Sequence, residues 1–191
     1  MSLLIDVGTV LRDSVSEFYS SLLTRPTGAA VRNEIERRVV EVGSPVVTTI
    51  DFSQIDLIDV SCADEIVGKL LLRYYEGLNG LTGYLLLQGI REDHLDAIDA
   101  VLEKRNLALV AWHDGQAELH GIVDETERRH WEIVRELGPV TSDRVSEQLG
   151  TTDVQTTTQL TRLWSRRLLR YDDAHFTVPN MVEPQIGVHA Q

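Results

Sequence analysis

The chain has 191 residues, 42% of them hydrophobic, and a formal net charge of −12. Those values suit one large folded domain or two small ones, and they argue against general disorder. No run reaches the roughly 18–20 apolar residues of a membrane span, the lone Cys62 excludes an internal disulfide or a multi-cysteine zinc site, and the acidic total opposes nucleic acid at long range. The opening stretch MSLLIDVGTVLRDS lacks a basic n-region, so no secretory signal is expected and a cytoplasmic location follows by default.

Residues 3–11 (LLIDVGTVL) are predicted as a strand from their β-branched content. Residues 14–23 are open between a short helix and a second strand. The breaker cluster Thr24-Arg25-Pro26-Thr27-Gly28 leads into a helix over 29–42, where Val31, Ile35, Val39 and Val42 recur at helical spacing. Gly43-Ser44-Pro45 ends it. A buried strand is predicted at 46–52 and a helix at 61–76. Gly77, Gly80 and Gly83 mark the loop to a third strand, 84–88. A helix over 92–105 and a final strand over 107–112 complete an α/β domain, residues 1–120, with helices packed on a sheet. The boundary is placed at His120-Gly121.

The second domain, residues 121–191, opens with an amphipathic helix over 122–137, stopped by Gly138-Pro139. A short helix follows over 142–149, then Gly150 where a tight turn wants positive φ. A third helix is predicted over 154–169, and a hairpin from Leu168–Tyr171 and His175–Val178. The order and the sequence ELGPVTSDRVSEQLGTTDVQTTTQLTRLWSRRLLRYDDAHFTV resemble the winged helix-turn-helix regulators of bacteria and archaea. Charge agrees locally: Val154 to Tyr171 holds Arg162, Arg166, Arg167 and Arg170 and no acid. Gln155, Gln159, Arg162 and Arg166 step along one helix face, apart from Leu160, Leu163, Trp164 and Leu168. Gln155, Thr156 and Gln159, with Thr152 at the helix start, are therefore expected at base edges. Arg162, Arg166 and Arg170 are expected at phosphates. The opposing view is that an arginine stripe is a solvated helix face, or that the module docks proteins.

In the first domain, the run TTIDFSQIDLIDVSCADEIVG over 48–68 resembles STAS domains, the fold of anti-sigma-factor antagonists. It is closer still to a STAS-like family of uncharacterised function, matched by Ser61-Cys62-Ala63-Asp64-Glu65-Ile66. In the antagonists, the serine directly after the motif aspartate is phosphorylated by a switch kinase. Asp59 matches that aspartate, but Val60 follows it, so the resemblance leaves only Ser61 as an acceptor. Read physically, Ser61 N-caps the helix and Asp64 closes a capping box. A phosphate on Ser61 would gain from the helix N-terminus but meet Asp59, Asp64 and Glu65. Cys62 reads as a small buried residue rather than a redox centre.

No phosphate-binding glycine motif is present, and no serine has a His/Asp partner at a recognised spacing. His113 and His120 have no third ligand in view, so neither a metal nor another cofactor is expected, and no enzyme activity. Two functions remain. One is a dimeric DNA-binding transcriptional regulator whose STAS-like domain senses a signal. The other is a protein-interaction module that binds an anti-sigma-type ATPase or kinase, with the winged helix used for docking or dimerisation.

Overall fold

The computed structural model describes residues 2–43, 47–78 and 81–180. Ser44, Pro45, Val46, Gly80 and the tail 181–191, which the sequence reading assigned to a helix stop, a strand start, a loop and the second domain, lie outside them.

A five-stranded sheet organises the chain. Strands β1 (Ser2–Asp6), β3 (Val47–Asp51), β5 (Tyr84–Gln88) and β6 (Ala108–His113) run parallel, and β7 (Gln116–Gly121) lies antiparallel at the edge. Spatial order is β1-β3-β5-β6-β7, so each crossover steps in the same direction. With right-handed crossovers, that order sends every connecting helix to one face of the sheet. Those helices are α1 (Val7–Ser14), α2 (Arg25–Val42), the continuous pair α3 (Val60–Ala63) and α4 (Lys69–Glu76), and α5 (Glu92–Arg105). A π-helical turn, Asp64–Gly68, joins α3 to α4. A two-residue parallel pair, β2 (Ser21–Leu22) with β4 (Leu57–Ile58), stands apart from the main sheet.

Alternate residues of each strand supply two cores, as the period of two requires. Ile5, Ile50, Leu85, Leu87 and Leu109 point into the core beneath α1–α5. Val47, Tyr84, Leu86, Val110 and Leu119 point the other way. There they meet Trp131, Val134, Val145, Leu160 and Leu163 from the C-terminal helices. These are α6 (Glu125–Leu137), α7 (Ser142–Leu149) and α8 (Asp153–Ser165), followed by the hairpin β8 (Arg170–Asp172) and β9 (His175–Thr177). The expected boundary thus falls at the end of β7, and the residues beyond it close the second face of the sheet. The coarse expectation of a mixed α/β protein around a parallel sheet holds.

Three elements differ from the reading. The first strand ends at Asp6 rather than at 11, because the Asp6 carboxylate accepts the Thr9 N–H at 2.7 Å and caps α1. Strand β7 was not expected; Asp114 and Gly115, both at positive φ, turn β6 into it. Helix α8 stops at Ser165 and not 169, since Arg167 takes a left-handed φ of 60° and turns the chain into β8. No helix among the described residues is long and apolar enough to cross a membrane.

Candidate functional site

Two regions carried functional expectations: the start of α3 and the outer face of α8. At the first, the strand β4 delivers Asp59 in an extended conformation, and its carboxylate accepts the Cys62 N–H at 2.7 Å. Asp59 is therefore the N-cap, which corrects the expectation for Ser61. The Ser61 hydroxyl instead donates to the same carboxylate, at 2.9 and 3.0 Å. Asp64 closes no capping box either. Its carboxylate is turned into the protein, to Arg25 Nη1 at 3.0 Å and Arg105 Nε at 2.6 Å. Glu65 beside it takes Arg25 at 2.8 Å, Lys69, and the buried Arg32. Within the π-helical turn both acids reach cations of the neighbouring helices, Asp64 those of α2 and α5 and Glu65 those of α2.

The charges on these groups follow from those contacts. The Arg105 hydrogen bond is the main cause that holds Asp64 down at about 2, with burial opposing it and Arg25 assisting. For Glu65, burial pushes the pKa up, yet Lys69, Arg25 and Arg32 together hold it below the ordinary value. Burial also works against Asp59, but the N–H of Cys62 and the hydroxyl of Ser61 keep it lowered and ionised. A phosphate on Ser61 would stand on that carboxylate.

Cys62 lies beneath, its Sγ donating to the Thr24 carbonyl oxygen at 3.0 Å. Gly28 permits the close approach of α2: a Cβ there would sit 2.9 Å from Cys62 Cα. Burial first, and Asp59 second, push the thiol up to about 12. At about pH 8 only about one molecule in ten thousand would carry the thiolate. Native protein is therefore expected to resist a thiol reagent until it unfolds. Labelling of Cys62 faster than global unfolding would refute this.

Around the helix start lies an apolar surface that the sequence reading left undivided within 14–23. Phe18 is 92% exposed, and Tyr19, Leu23, Leu57 and Val60 are each about half exposed. Hydrogen bonds from Asp56 N to Ser20 O and from Asp59 N to Leu22 O bind this strip together. Phe18, Tyr19 and Leu23 line a groove of about 490 Å³ along it. The signal in the sequence was the run FYSSLL, whose aromatic residues fit neither helical nor strand spacing.

The α8 residues are placed as follows. Thr152 and Gln155 form a capping box: Thr152 Oγ1 accepts Gln155 N–H at 3.3 Å, and Gln155 Oε1 accepts back at 3.4 Å. Thr156 is fully buried and shares a hydrogen bond with Thr151 at 2.8 Å, so it cannot meet a base edge. Gln159 is half-buried, its Oε1 out of water and without a hydrogen-bond partner. Arg162 pairs with Asp124 at 3.3 Å and Glu127 at 3.1 Å, and Arg166 with Glu127 at 2.7 Å. Arg170 is half-buried at the start of β8. Of the predicted set, Arg162 and Arg166 face the N-terminus of α6, while Thr152 and Gln155 stay exposed at the start of α8. The outward side carries Val154, Thr157, Thr158, Thr161 and Trp164. No group of three or more His, Cys, Asp or Glu among the described residues is placed to hold a metal ion.

Compared with protein-family models and with curated proteins, the chain matches neither a family model nor a curated sequence.

Proposed function

We infer that this chain is a regulatory module that acts by binding other proteins. Its first part is read as STAS-like, and the three helices with their hairpin as a winged helix that serves docking rather than DNA. The observation that carries this reading is where the charges go. Of the three expected phosphate contacts, Arg162 and Arg166 are paired with Asp124 and Glu127, and Arg170 is half-buried at the start of β8. The outward side of α8 has no cation, and Asp153 and the hairpin's Asp172 and Asp173 flank it. Nucleic-acid affinity comes chiefly from cations meeting phosphates, so such a surface would repel a duplex.

The α3 start supports the protein-binding half of the reading. Several large exposed side chains grouped on one surface mark interaction sites far more often than scattered ones do. The two nucleophile candidates there, Ser61 and Cys62, are held by Asp59 and by burial, which favours contact over catalysis. The STAS resemblance implies a switch ATPase or kinase as the partner class. Phe18→Ser with Leu57→Ser is expected to abolish capture of that partner while leaving the thermal midpoint within a few degrees, and light scattering of the same pair reads self-association. Anisotropy with mixed-sequence duplexes at low salt is expected to show no binding. Binding that weakens in Arg162→Ala/Arg166→Ala would overturn the reading in favour of DNA.

A further inference from the structure

Helices α7 and α8 and the β8–β9 hairpin enclose a cleft of about 460 Å³. Trp164 and Tyr171 form its walls, 39% and 48% exposed, with ring centroids 6.1 Å apart in an edge-to-face arrangement. Phe176 is the buried floor, its ring 4.7 Å from that of Tyr171. Asp143 stands at the rim with its carboxylate in water, and the hydroxyls of Thr157 and Thr161 line the side. Arg144, the neighbour of Asp143 in the chain, is turned to Glu147 at 2.9 Å. No lysine or arginine lines the cleft.

We propose that this cleft binds a cationic side chain, foremost the guanidinium of an arginine in a basic segment of a partner protein. Both rings are partly open to solvent, and an aromatic face attracts a cation through its quadrupole, Trp most strongly. A planar guanidinium can stack on one ring while its N–H donors reach acceptors beside it. Asp143 supplies an ionised acceptor, its pKa lowered first by the Thr141 hydroxyl. Thr157 and Thr161 supply neutral ones. The neighbouring Asp172 and Asp173 add negative potential at the hairpin tip. A purely apolar ligand would leave the carboxylate and hydroxyls unused, and a phosphate would meet only acids. This inference rests on the docking reading of the C-terminal helices above and names its ligand; the Phe18 surface, on the other side of the sheet, is tested separately there.

The test is an NMR titration of the full ¹⁵N-labelled chain with the peptide acetyl-Gly-Arg-Gly-amide at physiological salt. The neutral citrulline peptide, which keeps the shape and loses the charge, is titrated beside it. The Trp164 indole N–H, assigned from Trp164→Phe, is expected to move saturably with the arginine peptide and about fivefold less tightly with citrulline. Trp164→Leu, which keeps apolar bulk on the helix, is expected to remove the accompanying backbone amide shifts of the cleft residues, and Asp143→Asn to weaken binding several-fold. Equal binding of the two peptides would overturn the proposal. So would shifts that survive Trp164→Leu, which would indicate a diffuse attraction to an acidic surface. Shifts of the cleft by a short DNA duplex and not by the peptide would overturn it as well.

Discussion

Glu65→Gln is expected to lower the stability of the protein by about 1.5–3 kcal/mol, because it removes a buried carboxylate that binds Arg25, Arg32 and Lys69. Glu65 is almost fully buried and binds Arg32, whose side chain is only 11% exposed. Arg32 has one other acid near it, Glu36, whose Oε1 lies 3.2 Å from Arg32 Nε. That separation is an ion-pair distance, so Arg32 keeps one acid partner when Glu65 is lost, without a hydrogen bond between the two atoms. Arg25→Ala is the internal control. Its side chain is 51% exposed, so loss of that partner is expected to cost much less than loss of Glu65. Urea unfolding at neutral pH reads both, and equal losses for the two variants would refute the argument. The network also sets an acid limit. Asp64 titrates at about 2 in the fold against an ordinary value near 4. Its contribution is therefore complete above about pH 4 and is lost as the pH falls toward 2. Asp64→Asn is expected to flatten the stability profile across that window.

What the sequence makes legible here is local. The apolar spacing that places β5, α5 and α7 depends only on neighbours within a few residues, and those elements stand where the spacing puts them. The same logic would have found β7, since Asp114-Gly115 lies between Trp112 and the alternating Ala117 and Leu119, the strongest short hairpin signal. The arginine face of α8 shows a different limit. Residues 155, 159, 162 and 166 do share a side of the helix, but whether that side meets DNA or protein depends on Asp124 and Glu127, some forty residues upstream. Asp64 is the same case. Read against its chain neighbours it is a capping residue, whereas its partners are Arg25 and Arg105, each about forty positions away. Ion pairs at that separation leave no periodic trace in the chain. The exposed Phe18 surface shows only as aromatic residues that fit no spacing, because periodicity reports what is buried.

Trp131→Ala is expected to cost about 3–5 kcal/mol and to destabilise the sheet together with the C-terminal helices. Trp131 is fully buried between α6 and the second face of the sheet, its Nε1 donating to the Leu168 carbonyl oxygen at 3.0 Å. Arg135 lies over its ring at 5.7 Å. Trp131 belongs to one buried cluster with side chains from β5, β6 and α8, so the cavity left by alanine opens in a core that both parts share. Hydrogen exchange distinguishes the outcomes. Loss of protection in β5 and β6 in step with α6 and α8 is expected; loss confined to α6–α8, with the sheet unchanged, would show the C-terminal unit to be an independent domain. The distinction bears on function. Without those helices, Val47, Tyr84, Leu86 and Val110 would form a broad apolar face in water. A unit that must cover this face cannot swing free to follow a DNA groove without exposing it. It can, however, offer the outward side of α8 and the aromatic cleft to a partner while it stays in place.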